Sequence, residues 1–169
     1  MNYNSLFKLL IDIAFYLLIP LIFLFPGAIL YTLVFPNQEI IKLTTGLVSQ
    51  NGWLTSLILL SIYAEYVLFF VGFYNLRKFA ALLLKNRIFT KTSVQRSKKI
   101  GQFFTICGTS SLLLKLIYAL SLCKKYQIGF GLSEIELYLF LAIIGVFFLI
   151  LSTAFKRELK LQEENKLTV

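Results

Sequence analysis

Four long apolar stretches run through this 169-residue chain and limit what it can fold into. They cover residues 9–35, 54–75, 100–122 and 137–155. A helix needs about 20 apolar residues to cross a hydrocarbon core of ~30 Å, and each stretch is long enough. Backbone polar groups in lipid must be paired within the protein, which leaves helices or a closed barrel. Because the stretches do not alternate strictly, they exclude the barrel and predict an integral membrane protein.

The segments between these stretches are too short to bury a separate soluble core. We therefore expect a single domain, 1–169, with an all-α, polytopic fold of four transmembrane helices in an antiparallel bundle. Apolar residues after the second stretch keep a helical spacing as far as Leu83, and Thr90 or Thr92 is placed to cap the next helix. This pattern predicts a helical cytoplasmic hairpin between helices 2 and 3. Pro20 and Pro26 predict a kink or an unwound turn in the first helix.

The charged residues sort between the connecting segments. The chain has a net charge of +9, and residues 77–99 contain eight basic residues and no acidic one. Basic residues stay on the cytoplasmic side of a membrane. Placing this loop and both termini in the cytoplasm puts thirteen basic residues inside and three outside. The positive charge is thus explained by topology, and we expect no direct binding to nucleic acid.

Two charged residues fall inside the apolar stretches. Glu65 lies near the middle of the second stretch and Lys115 lies in the outer half of the third. Their depths differ by only ~5 Å, estimated from the rise of a helix, which is within reach of a lysine side chain. An unpaired charge in lipid costs at least ~2.5 kcal/mol. The sequence therefore predicts a Glu65–Lys115 pair, which either fixes the register of the helices or forms a proton or ligand site.

Motifs for catalysis are missing. The chain has no histidine and only two cysteines, so neither a histidine-assisted nucleophile nor a structural zinc site is expected. We therefore predict a protein that is not an enzyme and that binds no cofactor and no metal.

The basic loop and the tail, 156–169, have two interpretations. The loop serves topology and attraction to anionic lipid, or the loop and tail form a docking surface whose apolar end suits capture in a groove. The candidate docking residues are Arg77, Lys78, Arg87, Phe89, Thr90, Arg96, Gln162, Glu163, Leu167, Thr168 and Val169.

Two stretches resemble a bacterial membrane family catalogued as domain of unknown function 2975. One contains Leu-Arg-Lys at 76–78, Phe-Thr at 89–90 and Ile-Gly at 100–101, and the other is the tail that ends in Leu-Thr-Val. Ile88 and Ser93 depart from the proline and asparagine that are usual there. The resemblance implies a bacterial inner membrane protein without an established activity. It also implies a link to a small Cro/CI-like helix-turn-helix regulator, which is commonly encoded beside members.

Our leading hypothesis is a non-enzymatic regulatory or sensory protein that controls or sequesters such a regulator through its cytoplasmic loop and tail. One alternative is a small transporter or channel that uses the Glu65/Lys115 site, and another is a structural subunit of a membrane complex. Small residues on the third and fourth helices predict close packing, either within one chain or in a homo-oligomer. These residues are Gly101, Thr105, Gly108, Thr109, Ala142, Gly145 and Ser152.

Overall fold

The computed structural model describes residues 3–34, 52–85, 89–122 and 132–167. These residues form four helices: α1 (Tyr3–Val34), α2 (Gly52–Leu84), α3 (Lys91–Leu122) and α4 (Leu132–Leu167). All four are long and apolar enough to cross a membrane. The prediction of an all-α, four-span membrane protein is confirmed.

The helices extend beyond the apolar stretches that predicted them. α1 starts at Tyr3, and α4 runs to Leu167 because lysine, glutamate, glutamine and leucine, which have good helix propensity, continue it beyond the apolar stretch. α1 also continues through Pro20 and Pro26, so the unwound turn that these prolines allowed is absent from it.

Backbone packing follows the order of the helices along the chain. α1 packs on α2, α2 on α3 and α3 on α4, and no other pair of helices brings Cα atoms within 8 Å in the described ranges. α2 and α3 therefore each have two neighbouring helices, and α1 is attached through α2.

The best-buried apolar cluster lies at the end of the bundle that carries the α2–α3 connection. Phe79 and Phe104 are 4% exposed and Ile100 is fully buried, with Phe148 and Phe155 of α4 packed against them. Further along the helices, large apolar side chains of α1 and α4 point outward, as expected for a surface in contact with lipid.

Glycines set the distance between α3 and α4. A Cβ atom added at Gly101 would lie 2.8 Å from the carbonyl oxygen of Gly145, and one at Gly108 would lie 2.7 Å from the backbone nitrogen of Ala142. The two backbones approach this closely only because these positions carry no side chain. Gly101, Thr105, Gly108, Ala142, Gly145 and Ser152 line this contact within one chain. Thr109, which was predicted with them, is exposed and donates to carbonyl groups of its own helix.

Candidate functional sites

Glu65 forms a polar site between α2 and α3. Its Oε2 accepts a hydrogen bond of 2.7 Å from the Ser111 hydroxyl, and its backbone oxygen accepts one of 3.6 Å from the Cys107 thiol. Its other carboxyl oxygen, Oε1, is buried and has no hydrogen-bond partner among the described residues. This carboxyl group lies within the second candidate membrane span, where a polar atom without a hydrogen bond costs free energy.

Lys115 lies one helical turn beyond Ser111 on α3. Its ammonium group is 4.9 Å from the centre of the Tyr138 ring of α4, and it also interacts electrostatically with Glu65. The Glu65 carboxyl group thus accepts its hydrogen bond from Ser111, and the Lys115 ammonium forms its cation–π contact with Tyr138. Direct pairing of Glu65 with Lys115 stays a prediction.

The beginning of α3 and the end of α4 meet at one end of the bundle. Phe89 is 46% exposed and packs edge-to-face on Phe155, with ring centroids 5.8 Å apart. Lys91 lies 3.4 Å from Glu163. Because that ion pair is well exposed it contributes little to stability, and the aromatic contact holds the two segments together. We call the surface formed by Phe89, Lys91, Gln162 and Glu163 the end surface.

Two serines attach α3 to α4 beneath the end surface. The Ser97 hydroxyl donates a 2.9 Å hydrogen bond to the carbonyl of Phe148, and the Ser152 hydroxyl donates one of 2.9 Å to the carbonyl of Val94. Both serines are buried. Hydrogen bonds between helices fix the register, so the parts of the end surface keep a defined position relative to each other.

Thr90 begins α3 as its N-cap. Its Oγ1 accepts a hydrogen bond of 3.2 Å from the backbone nitrogen of Ser93, and its carbonyl accepts one of 3.1 Å from Val94. This confirms the predicted cap and places the Thr90 side chain in a structural role.

Replacing Thr90 with alanine is expected to lower the free energy of unfolding by ~1 kcal/mol, because the first turn of α3 loses its cap. Thr92→Ala is the matched control, since Thr92 is exposed two residues further along. Thermal unfolding of the full chain in detergent measures both variants. Equal losses in the two variants would contradict the assignment of the cap to Thr90.

Several predicted docking residues have partners within the bundle. Arg77 donates a 2.6 Å hydrogen bond to Asp12 of α1 and one of 3.1 Å to the Tyr16 hydroxyl. Arg96 donates one of 2.8 Å to the side-chain oxygen of Asn75, which is buried. These arginines therefore lie on the side of the bundle, apart from the end surface.

Most of the chain matches a known protein family. The model of a family described as a protein of unknown function, DUF2975, matches residues 36–169. The chain belongs to the DUF2975 family. No curated protein and no solved structure matches it. The matched region contains α2, α3 and α4, and these three helices form the best-buried apolar cluster of this DUF2975 protein.

Two more of the predicted docking residues of this DUF2975 protein, Lys78 and Gln162, contact residues of their own helices. Lys78 lies over the Tyr74 ring at 4.3 Å, and Gln162 donates a 3.3 Å hydrogen bond to Glu158. Leu167 is the last residue of α4. Arg87, Thr168 and Val169 lie outside the described residues.

Some polar residues of this DUF2975 protein were missed by sequence reasoning. Ser111 could have been found, because it lies one helical turn from Lys115 and therefore shares its face of α3. Asn75 and Ser97 gave no such signal, since their partners are on other helices. In the described parts of the chain, no three cysteine, aspartate or glutamate side chains lie close enough to hold a metal ion.

Proposed function

We propose that this protein is a non-enzymatic regulator in the bacterial inner membrane whose end surface binds a small helix-turn-helix transcription regulator. The fold we propose is an antiparallel bundle with both termini and the α2–α3 hairpin in the cytoplasm. The opposed order of the contacts on each helix pair and the excess of basic residues in 77–99 support this topology.

The observation that carries the proposal is the contact between the beginning of α3 and the end of α4. These segments contain parts of the two stretches that resemble the family, and they meet through Phe89 and Phe155 and through Lys91 and Glu163. An exposed aromatic ring beside residues of both charges is suited to a protein partner, because aromatic residues dominate the energetics of interfaces. Binding to this surface would keep the regulator at the membrane and away from its operator.

A photo-crosslinking amino acid at position 163 tests this proposal in native membranes. We expect it to capture a small soluble protein that carries a helix-turn-helix motif. Position 153 is the control, because Thr153 is exposed on the same helix but lies within the apolar part of α4. Purified membranes with the intact chain should also reduce binding of the captured protein to its operator DNA. Capture of membrane proteins alone, or equal capture from both positions, would refute the regulatory role and favour a structural subunit.

Removing the chain from Leu167 onward is expected to reduce capture of the regulator at least tenfold, on the order of 1.4 kcal/mol of binding free energy. The reason is that the apolar end offers a segment that a groove can bind. The crosslinked product is quantified in membranes that contain equal amounts of each chain. The exchange Thr153→Ala, at an exposed position of α4 outside the end surface, leaves the end in place and is the control. Unchanged capture by the shortened chain would show that the docking surface does not include the tail.

Transport is a second candidate function. It is favoured by the buried Oε1 of Glu65, which has no hydrogen-bond partner among the described residues. An acceptor of this kind within a membrane is suited to a proton or a small cation. Flux into proteoliposomes that disappears in Glu65→Gln would support transport. Absence of flux together with capture of the regulator would leave regulation as the function.

A further inference from the structure

A stripe of exposed and partly exposed residues, most of them apolar, runs along α2 between α1 and α3. α1 and α3 both pack on α2 but not on each other in the described ranges, so the surface of α2 between them is open to lipid. The residues on this stripe, at alternating spacings of four and three, are Leu60, Ala64, Val67, Val71, Tyr74 and Lys78. Leu60, Val67 and Tyr74 are 53%, 37% and 38% exposed. The stripe is therefore a shallow apolar groove with a polar end.

Basic residues surround the polar end of the groove. The ammonium of Lys78 is 4.3 Å from the ring centre of Tyr74, and the guanidinium of Arg96 bonds to the side chain of the next residue, Asn75. The guanidinium of Arg77 is 4.8 Å from the ring of Phe15, which in turn packs against Tyr74. We call Tyr74, Arg77, Lys78 and Arg96 the cationic cluster.

The negative charge at this cluster is small. Asp12 is the acidic partner of Arg77, at 2.6 Å, and it also lies 3.9 Å from Lys8. Arg96 bonds to the neutral Asn75, and neither Arg96 nor Lys78 forms an ion pair with a described carboxylate. One carboxylate therefore faces four cations, which leaves a net positive site for an anion.

The depth of the cluster fits the headgroup layer of a bilayer. Tyr74 comes at the end of the apolar part of α2, at the level where tyrosines are enriched in membrane proteins. From Tyr74 back to Leu60 the groove extends fourteen residues, or ~21 Å along a helix. That length spans one leaflet, which is about half of a ~30 Å hydrocarbon core. The groove and the cluster together match one lipid molecule, with its acyl chain along α2 and its phosphate at the cations.

We propose that this DUF2975 protein has a binding site for an anionic phospholipid, with the acyl chain in the α2 groove and the headgroup phosphate held by Lys78 and Arg96 beside Tyr74. Arginine and lysine donate to phosphate oxygens, and the tyrosine hydroxyl adds a donor at the same depth. The lipid would fill the gap between α1 and α3. This site is separate from the end surface, so the proposal does not depend on the regulatory function.

Spin-labelled phosphatidylglycerol and phosphatidylcholine test the site with the full chain reconstituted in bilayers. Electron paramagnetic resonance measures the fraction of each lipid that the protein immobilises. We expect the intact protein to prefer phosphatidylglycerol. Each neutralised cation should weaken that preference about fivefold, which corresponds to ~1 kcal/mol for one basic residue at the membrane surface. Lys78→Gln alone should show this loss, and Lys78→Gln with Arg96→Gln should abolish the preference.

Lys156→Gln with Arg157→Gln is the matched control. It removes the same charge at exposed positions of α4, whose Cα atoms do not come within 8 Å of those of α2 in the described ranges. We expect it to keep the preference for phosphatidylglycerol. An equal loss in both double variants would reduce the site to general attraction by surface charge and overturn the proposal, as would an undiminished preference in Lys78→Gln with Arg96→Gln. Release of the immobilised lipid by excess soluble glycerol phosphate would also overturn it, because the acyl chain would then contribute nothing.

Discussion

Replacing Gly145 with alanine is expected to lower the free energy of unfolding by about 3 kcal/mol, at the upper end of the cost of overpacking. A Cβ atom at Gly145 would lie 2.9 Å from the Cα of Thr105 and closer still to its backbone nitrogen. Since the obstacle is the backbone of α3 and not the end of a flexible side chain, α3 and α4 would have to move apart. That movement would also stretch the hydrogen bonds that Ser97 and Ser152 make between them.

Gly27→Ala is the matched control for this prediction. A Cβ atom at Gly27 of α1 meets nothing within 4 Å. Alanine there should leave the protein unchanged or stabilise it by up to ~1 kcal/mol, because glycine is a poor helix former. Unfolding in mixed micelles titrated with sodium dodecyl sulfate compares the two variants. If Gly145→Ala is as stable as Gly27→Ala, the described approach of α3 to α4 is wrong.

The contact between α3 and α4 is also the part of the packing that the sequence predicted best. Gly101, Gly108, Ala142 and Gly145 were predicted to lie on faces that allow close approach, and they do. This prediction succeeds because the requirement is local. A helix that packs closely needs small residues at a fixed spacing, and that spacing can be read from one helix alone.

Contacts between polar side chains on different helices could not be predicted in the same way. Arg77 was interpreted as a docking residue because it lies in a basic loop, yet it bonds to Asp12, 65 residues earlier in the chain. Arg96 likewise bonds to Asn75. Identifying such partners requires knowing which helices are neighbours and how each helix is rotated about its axis. A membrane helix is apolar on most of its faces, so its hydrophobic pattern does not give that rotation.

The two regions that carry charge at this end of the bundle therefore have different surroundings. Phe89, Lys91 and Glu163 face away from the helices at the end surface, while Lys78 and Arg96 lie beside Tyr74 on the side of α2. The sequence grouped the residues of 77–99 because they are close along the chain, and it added Glu163 because the tail is also predicted to be cytoplasmic. The structure separates them because a helical turn distributes neighbouring residues over different faces. The surface proposed for a protein partner is thus mixed in charge, and the site proposed for a lipid is cationic.

Replacing Ser111 with alanine is expected to lower the free energy of unfolding by about 2 kcal/mol. Ser111 is 3% exposed and donates the 2.7 Å hydrogen bond to Oε2 of Glu65, whose other oxygen has no partner among the described residues. Its loss leaves a buried carboxyl group without a described side-chain donor. Ordinary hydrogen bonds between membrane helices contribute ~0.6 kcal/mol on average. A larger effect is expected here because an unsatisfied carboxyl group is more costly than an unsatisfied neutral group.

A double-mutant cycle with Glu65→Leu decides whether that loss comes from the Ser111–Glu65 pair. With leucine at 65 there is no acceptor for the hydroxyl, so Ser111→Ala should then be neutral or slightly stabilising. Ser110→Ala is the control in both backgrounds, because the Ser110 hydroxyl donates to the Cys107 carbonyl of its own helix at 3.1 Å. A coupling energy near zero would mean that Glu65 does not hold α2 and α3 in register. Its carboxyl group would then be retained at a cost to stability, which is the result that transport through this site requires.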